Sequence, residues 1–252
     1  LMLDAARALG AEIARDDAHH LVTPALHTRS LGPEITDGQV GAVMLLAPIL
    51  ARRRHARLET AYPFSRLYAH LTALRDLGFD VHIDGDVIDF TAEPWERREL
   101  TLLQTSVTTT ALVCMLAAAM GRETLVYNAA SEPHIQDLQQ MLVMMGAEIE
   151  GIGSNRLLIR GASELGGADI TIRPDHIEIA SIAAIGAITG GTITIENVEP
   201  GDMHFIRRVY NRLGVNLYLN GNTLFVPAHE SLAVSQKAEE LDLPIETSPW
   251  PG

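Results

Sequence analysis

Four glycines stand at one fixed interval along the chain: Gly10, Gly78, Gly146 and Gly214, each 68 residues after the one before. An apolar stripe runs up to every one of them. The preceding residue is Leu9, Leu77, Met145 or Leu213. One turn back stand Ala6, Leu74, Leu142 and Tyr210, beside Ala5, Ala73, Met141 and Val209. Another turn back stand Met2, His70, Leu138 and Ile206. This spacing marks one buried face of a helix. A glycine just past its end supplies the left-handed conformation that stops a helix without a Cβ clash. So regular a period implies successive copies of one supersecondary unit.

The rest of the unit repeats as well. Turn sequences follow at Asp16-Asp17, Asp84-Gly85-Asp86, Gly153-Ser154-Asn155 and Asn220-Gly221-Asn222, with Gly85, Gly153 and Gly221 again 68 apart. Gly, Asn and Asp tolerate the positive φ of tight hairpins. Second strands are predicted over 87–90, 157–159 and 223–226. The other half of each copy predicts a helix, over 39–51, 108–120 and 177–189. These helices are apolar on nearly every side, as in Ala111-Leu112-Val113-Cys114-Met115-Leu116, which places them in a core. Gly121 and Gly190 end the last two and lead into short strands over 124–127 and 192–196. The unit is helix, hairpin, buried helix, strand, present three times and in part a fourth. The expected architecture is α/β, an inside-out α/β barrel in which sheets wrap an inner layer of helices.

Composition narrows the function classes. With 252 residues, 47% hydrophobic, the chain can bury a sizeable core in one or two domains. It has no apolar run long enough for a membrane helix, and its first ten residues form no signal-peptide pattern. One cysteine cannot make an internal disulfide, which fits a reducing cytoplasm. A net charge of -13 argues against a general nucleic-acid binder. The chain starts at Leu1 inside a helical pattern and stops at Pro251-Gly252, so a piece of a longer protein is expected. A cut first repeat would leave sheet edges unpaired and the piece marginally stable by itself.

Several motifs, in order, carry a resemblance. They are Ser106-Val107-Thr108, Asn128-Ala129-Ala130-Ser131-Glu132-Pro133, Asp137-Leu138 and Met145-Gly146-Ala147. They continue with Arg173-Pro174-Asp175-His176-Ile177-Glu178, Gly190-Gly191 and the tail Glu246-Thr247-Ser248-Pro249-Trp250-Pro251-Gly252. Together they resemble the enolpyruvyl transferases, in particular those acting on UDP-N-acetylglucosamine. The resemblance implies two domains of three repeats each, with 1–172 forming most of the first and 173–252 part of the second. It implies transfer of the enolpyruvyl group of phosphoenolpyruvate to the 3′-hydroxyl of UDP-N-acetylglucosamine, at the start of peptidoglycan synthesis, without metal or organic cofactor. A Lys-Asn pair would lie upstream of Leu1 and a catalytic Asp just past Gly252. An Arg is implied where Val40 stands. A Gly-rich loop bearing a Cys and then an Arg is implied where Leu58-Glu59-Thr60-Ala61-Tyr62-Pro63-Phe64-Ser65 stands, a stretch without Cys or Gly. Arg66 is the nearest cation there, one position late. Three readings stay open: this transferase, a binding or scaffold paralogue, and a transferase with another acceptor.

The start of the middle buried helix, Gln104-Thr105-Ser106-Val107-Thr108, is the candidate substrate-binding segment. A helix N-terminus offers unpaired N–H groups and partial positive charge, suited to a diphosphate. The matching starts in the neighbouring copies carry Asp37 and Asp175, which repel an anion. The competing role for Thr105 or Ser106 is a plain N-cap. Cys114, inside an apolar helix, reads as an inert thiol. His70, on the apolar stripe, reads as a hydrogen-bonded structural imidazole. Arg52-Arg53-Arg54 and Arg57 read as a dipole-matched helix end, and Arg207, Arg208 and Arg212 as a solvated face. His19-His20 lacks further ligands at metal spacing. Gly151-x-Gly153 is a hairpin turn, not a dinucleotide loop. Glu132-Pro133 either caps a helix or shapes a hinge.

Overall fold

The computed structural model describes residues 2–15, 20–23, 25–36, 40–60, 63–229, 231–234 and 247–250. The expected turn at Asp16-Asp17, the helix start at Asp37 to Gln39, Ala61 and Tyr62 of the loop, His19, Glu246, Pro251 and Gly252 lie outside them, as does the side chain of Val40. The chain forms two compact units. One comprises Leu1–Ser131 and Leu138–Asp169, the other Glu132–Asp137 and Ile170–Gly252.

Unit 1 runs α1 (Met2–Leu9), β1 (Glu12–Arg15), β2 (His20–Thr23), β3 (Ser30–Leu31), α2 (Pro33–Thr36), a 3-10 turn (Val40–Leu45), α3 (Leu46–Arg53), β4 (His55–Glu59), α4 (Phe64–Asp76), β5 (Asp80–Asp84), β6 (Val87–Thr91), β7 (Trp95–Thr101), α5 (Val107–Met120) and β8 (Gly121–Tyr127). Helix α6 (Pro133–Met144) follows, then β9 (Glu148–Glu150) and β10 (Arg156–Arg160). Unit 2 holds α7 (His176–Ile188), β11 (Ile193–Ile195), α8 (Pro200–Arg212), β12 (Tyr218–Asn220) and β13 (Thr223–Val226). Two four-stranded sheets, β3-β4-β6-β5 and β7-β8-β10-β9, each combine a parallel pair with a hairpin. A three-stranded sheet, β11-β13-β12, serves unit 2. No sheet closes on itself among the described residues. No described helix is long and apolar enough to cross a membrane.

The four periodic glycines end four helices in one way. Gly10, Gly78, Gly146 and Gly214 have φ of 115, 87, 114 and 81°. The next residue's N–H reaches five residues back: Ala11 to Ala6, Phe79 to Leu74, Ala147 to Leu142 and Val215 to Tyr210, at 2.9–3.0 Å. This is the Schellman pattern, which pairs carbonyls that the helix leaves orphaned. The hairpins close where the turn residues stand, Asp84 opposite Val87 and Asn220 opposite Thr223, with Gly85 and Gly221 at positive φ.

The core of unit 1 is built around α5. Leu112, Val113, Cys114, Leu116, Ala117 and Ala118 are wholly buried, and the helix meets α3, α4, β8 and β10. Its alanines let neighbours approach closely while Leu112 and Leu116 fill the space between.

Two expected helices differ. Over 39–51 the chain makes a 3-10 turn before α3. Pro48 explains this: its ring clashes with a carbonyl four residues back in an α-helix, so it fits only the first turn. Helix α7 is not enclosed: Ile177, Ile185 and Ile188 are 59%, 54% and 70% exposed. Its Ile179, Ala183 and Ala187 side faces the three-stranded sheet and α8. Its apolar composition matches α5, but its surroundings do not.

Gly161 is pressed against main chain on several sides. A Cβ there would run into the carbonyl oxygens of Gly121, Ala117 and Ala118, whereas one at Gly85 meets nothing. Gly85→Ala is therefore expected to cost about 1 kcal/mol, for the left-handed backbone alone. Gly161→Ala is expected to cost roughly 3 kcal/mol or more, because main chain cannot yield cheaply. Urea unfolding of the two variants checks the order.

Candidate functional site

The N-terminal end of α5 is braced from several directions. Strand β7 leads to Leu102, whose N–H donates to Tyr127 O at 3.0 Å. Asn128, just past β8 with φ of 59°, staples the following loop: its Nδ2 donates to Leu102 O and its Oδ1 accepts from the Thr105 hydroxyl, both at 2.8 Å. Ser106, in extended conformation, is the N-cap; its Oγ accepts from Thr109 N at 3.3 Å. The Thr110 hydroxyl donates to Ser106 O at 2.8 Å and accepts from Ala130 N at 2.9 Å. The N–H groups of Val107 and Thr108 precede the helical ladder, and the first turn carries no acid. Thr105 to Thr108 are half-buried and Gln104 is exposed.

Helix α7 starts differently. The Asp175 carboxylate accepts from Ile177 N at 2.8 Å and Glu178 N at 3.2 Å, and Glu178 adds a second acid to the first turn. These backbone bonds, that from Glu178 first, hold the Asp175 carboxyl below its ordinary range. The N–H groups that could meet an anion at α7 are already taken by a fixed negative charge.

Helix α4 brings His70 to the α5 start. His70 is 3% exposed, with Nε2 2.8 Å from Thr108 Oγ1. Burial pushes its pKa down to about 4, so the ring is neutral near pH 7. Its Nδ1 is buried without a hydrogen-bond partner among the described residues. Arg66 stands one turn earlier on α4, exposed, at the i−4 position relative to His70. Gln104, Thr105, Ser106, Val107 and Thr108 thus form one braced helix start, with His70 against it and Arg66 a turn away on the same helix. The roles of Asn128 and Thr108 are legible only in the folded chain, although Asn after a strand is a mild signal for a left-handed residue.

The other residues resolve individually. Cys114 is wholly buried, burial pushes its thiol up to about 12, and Gln139 Nε2 lies 3.9 Å from its sulfur. Arg53 donates to Leu26 O at 2.7 Å, and Arg54 ends α3 with φ of 60°. Arg207 is not part of a solvated face: its Nε donates to Leu217 O at 3.1 Å, tying α8 to the segment before β12. Glu132 O accepts from Ile135 N and Gln136 N, so Glu132-Pro133 opens α6. Of the stretch 58–65, Leu58 and Glu59 end β4, buried Thr60 donates its N–H to Asp86 O at 3.1 Å, and Phe64 begins α4.

Comparison with known proteins gives a consistent set. The family model for EPSP synthase (3-phosphoshikimate 1-carboxyvinyltransferase) matches residues 1–247. A UDP-N-acetylglucosamine 1-carboxyvinyltransferase of Bacteroides fragilis is 36% identical over 218 residues, covering 84% of this chain and 50% of the relative. One from Treponema denticola is 37% identical over 225 residues, covering 87% and 53%. The chain spans about half the length of these curated relatives. The enolpyruvyl transferase NikO from Streptomyces tendae superposes with a TM-score of 0.75 at 21% identity, over 91% of this chain and 57% of that one, a likeness of fold.

The buried imidazole makes stability depend on pH. On acidification the unfolded chain takes up a proton near the ordinary 6.5, the folded chain only near 4. The contribution is therefore intact above 6.5 and is lost as pH falls toward 4. Between pH 7.5 and 5 the parent should lose roughly 2 kcal/mol more than His70→Gln. Parallel urea titrations measure this difference, and equal slopes for both proteins would sink the assignment.

Proposed function

The chain belongs to the EPSP synthase family, and from that premise we propose that the protein transfers the enolpyruvyl group of phosphoenolpyruvate to the 3′-hydroxyl of UDP-N-acetylglucosamine, in the cytoplasm, toward peptidoglycan. In this transfer the sugar oxygen bonds to the enol carbon, and the carbon–oxygen bond to phosphate breaks, releasing inorganic phosphate. The enol methylene gains a proton and later loses one. The observation that carries the reading is the start of α5, braced and free of carboxylates while α7 is capped by one. The relatives named for this acceptor support the choice of nucleotide sugar.

In this reading the N–H groups of Val107 and Thr108 and the Ser106 hydroxyl meet the diphosphate, where helix polarity favours negative charge. Thr105 holds the loop through Asn128, and Gln104 and Arg66 supply exposed polar groups nearby. The neutral His70 ring fixes Thr108 without adding charge. Residues 1–172 would make up most of a first domain and 173–252 part of a second, each an inside-out arrangement about its inner helices. Proton transfer needs a general acid and a base; none is assigned within Leu1–Gly252, since the resemblance puts a Lys-Asn pair and a catalytic Asp outside it and its Cys loop on 58–65, which has no Cys. Cys114 does not stand in for a loop thiol, since it is enclosed and held protonated.

A second reading, a nucleotide-sugar-binding paralogue without turnover, is favoured by one observation: the stretch 58–65 contains neither Cys nor Gly. Calorimetric titration with UDP-N-acetylglucosamine, followed by phosphate release on adding phosphoenolpyruvate, separates the two. Binding with release supports transfer, binding without release the paralogue, and no binding refutes both. Ser106→Asp tests the seat itself. Asp is as good an N-cap as Ser, so stability should change by less than about 0.5 kcal/mol. The added charge should weaken UDP-N-acetylglucosamine binding about tenfold or more.

A further inference from the structure

Unit 2 contains a cavity of about 460 Å³ between α7 and α8, walled by Ile177, Ala184, Phe205 and Tyr210 and bounded by His176 and Trp250. His176 is the first residue of α7 and 6% exposed. Its ring centroid lies 4.7 Å from that of Trp250, tilted by 59°, and 6.2 Å from that of His134, nearly parallel at 17°. Polar ties fix the body of the unit around this ring. Asp175 caps α7, and the Tyr210 hydroxyl donates to Ala180 O at 2.6 Å. Arg173 Nε donates to Asp137 at 2.7 Å while its Nη1 stands 3.8 Å from Asp202.

We infer that His176 is a positioning residue whose imidazole seats the indole of Trp250 and so sets the course of the Thr247–Trp250 segment. A tilted aromatic pair at this separation is favourable beyond the area it buries, and the preference belongs to the rings. An aliphatic side chain at 176 would fill space without directing the indole. The consequence for turnover rests on the transferase reading, in which this segment leads toward the reacting groups; the seat does not.

The chain has two tryptophans, Trp95 and Trp250. Trp95→Phe leaves Trp250 as the sole indole emitter. A protonated imidazole in contact quenches indole emission and a neutral one does so far less. The groups facing His176 are His134 on α6, Glu132 just before it, Asp175 at the cap, and Asp202 on α8 with its partner Arg173. Burial is the largest influence and, with His134, lowers its pKa, while the carboxylates oppose. In Trp95→Phe the emission should therefore fall on acidification, with a midpoint below the ordinary 6.5. Adding His176→Phe should abolish that step and leave the emission maximum unshifted. Adding His176→Ala should red-shift the maximum and raise accessibility to acrylamide. A pH-independent signal in the parent background, or an unmoved maximum in His176→Ala, overturns the seat. In the transferase assay His176→Ala should lower kcat about tenfold, as misplacement of a supporting group does, with KM for UDP-N-acetylglucosamine unchanged and His176→Phe restoring kcat. Equal constants for His176→Ala and the parent overturn the positioning role. A parent without turnover overturns the transferase reading, and the fluorescence then decides the seat.

Discussion

A helix of 14 residues with no polar face must be enclosed, and in unit 1 that requirement governs almost everything else. Helix α5 carries threonine only in its first turn; beyond it every side is apolar. Helices α3 and α4 and strands β8 and β10 lie against it, and its alanines allow them close. Burial of such a helix also fixes where its polar end emerges. The hydroxyls of Thr108, Thr109 and Thr110 stand where the core gives way to the loop, and two of them are used at once to hold His70 and Ala130. The candidate site is thus the open end of the core's central element. Its rigidity is that of the core.

The parts of the fold that could be read in advance are those encoded locally. A glycine after an apolar stripe, or a Gly-Asp or Gly-Asn pair between alternating strands, specifies backbone conformation with few neighbours involved. Helix ends at 10, 78, 146 and 214 and the hairpins after Gly85 and Gly221 therefore stand where the spacing puts them. Strands β4 and β7 were not legible. Their sequences, HARLE and WERRELT, are largely charged, and β7 buries only Trp95 and Leu100. They are strands because parallel or antiparallel partners are offered by the rest of the sheet, a non-local cause. Pro48 was visible, but its effect on the preceding turn depends on α3 continuing beyond it. The exposure of α7 is likewise a property of its neighbours, since its own sequence is as apolar as that of α5.

The same division holds at the candidate site. Gln104 to Thr108 could be singled out because the missing carboxylate is a local difference from Asp175. The pairing of Thr105 with Asn128 spans 23 residues and that of His70 with Thr108 spans 38, so neither leaves a mark in local spacing. His70 could be placed on a buried stripe, but its partner could not. The tie from Arg207 to Leu217 O was misread as a free face because a backbone acceptor is invisible in composition.

The four helix stops share one further property. Each is made from a glycine and two main-chain hydrogen bonds. Such a terminator keeps working whatever the residues around it become, provided the glycine stays and the stripe remains apolar. Segments that end in such a stop can then differ in charge and in loop length while their boundaries hold. Helix α5 starts from a hydroxyl and α7 from a carboxylate, and neither choice disturbs where the chain turns.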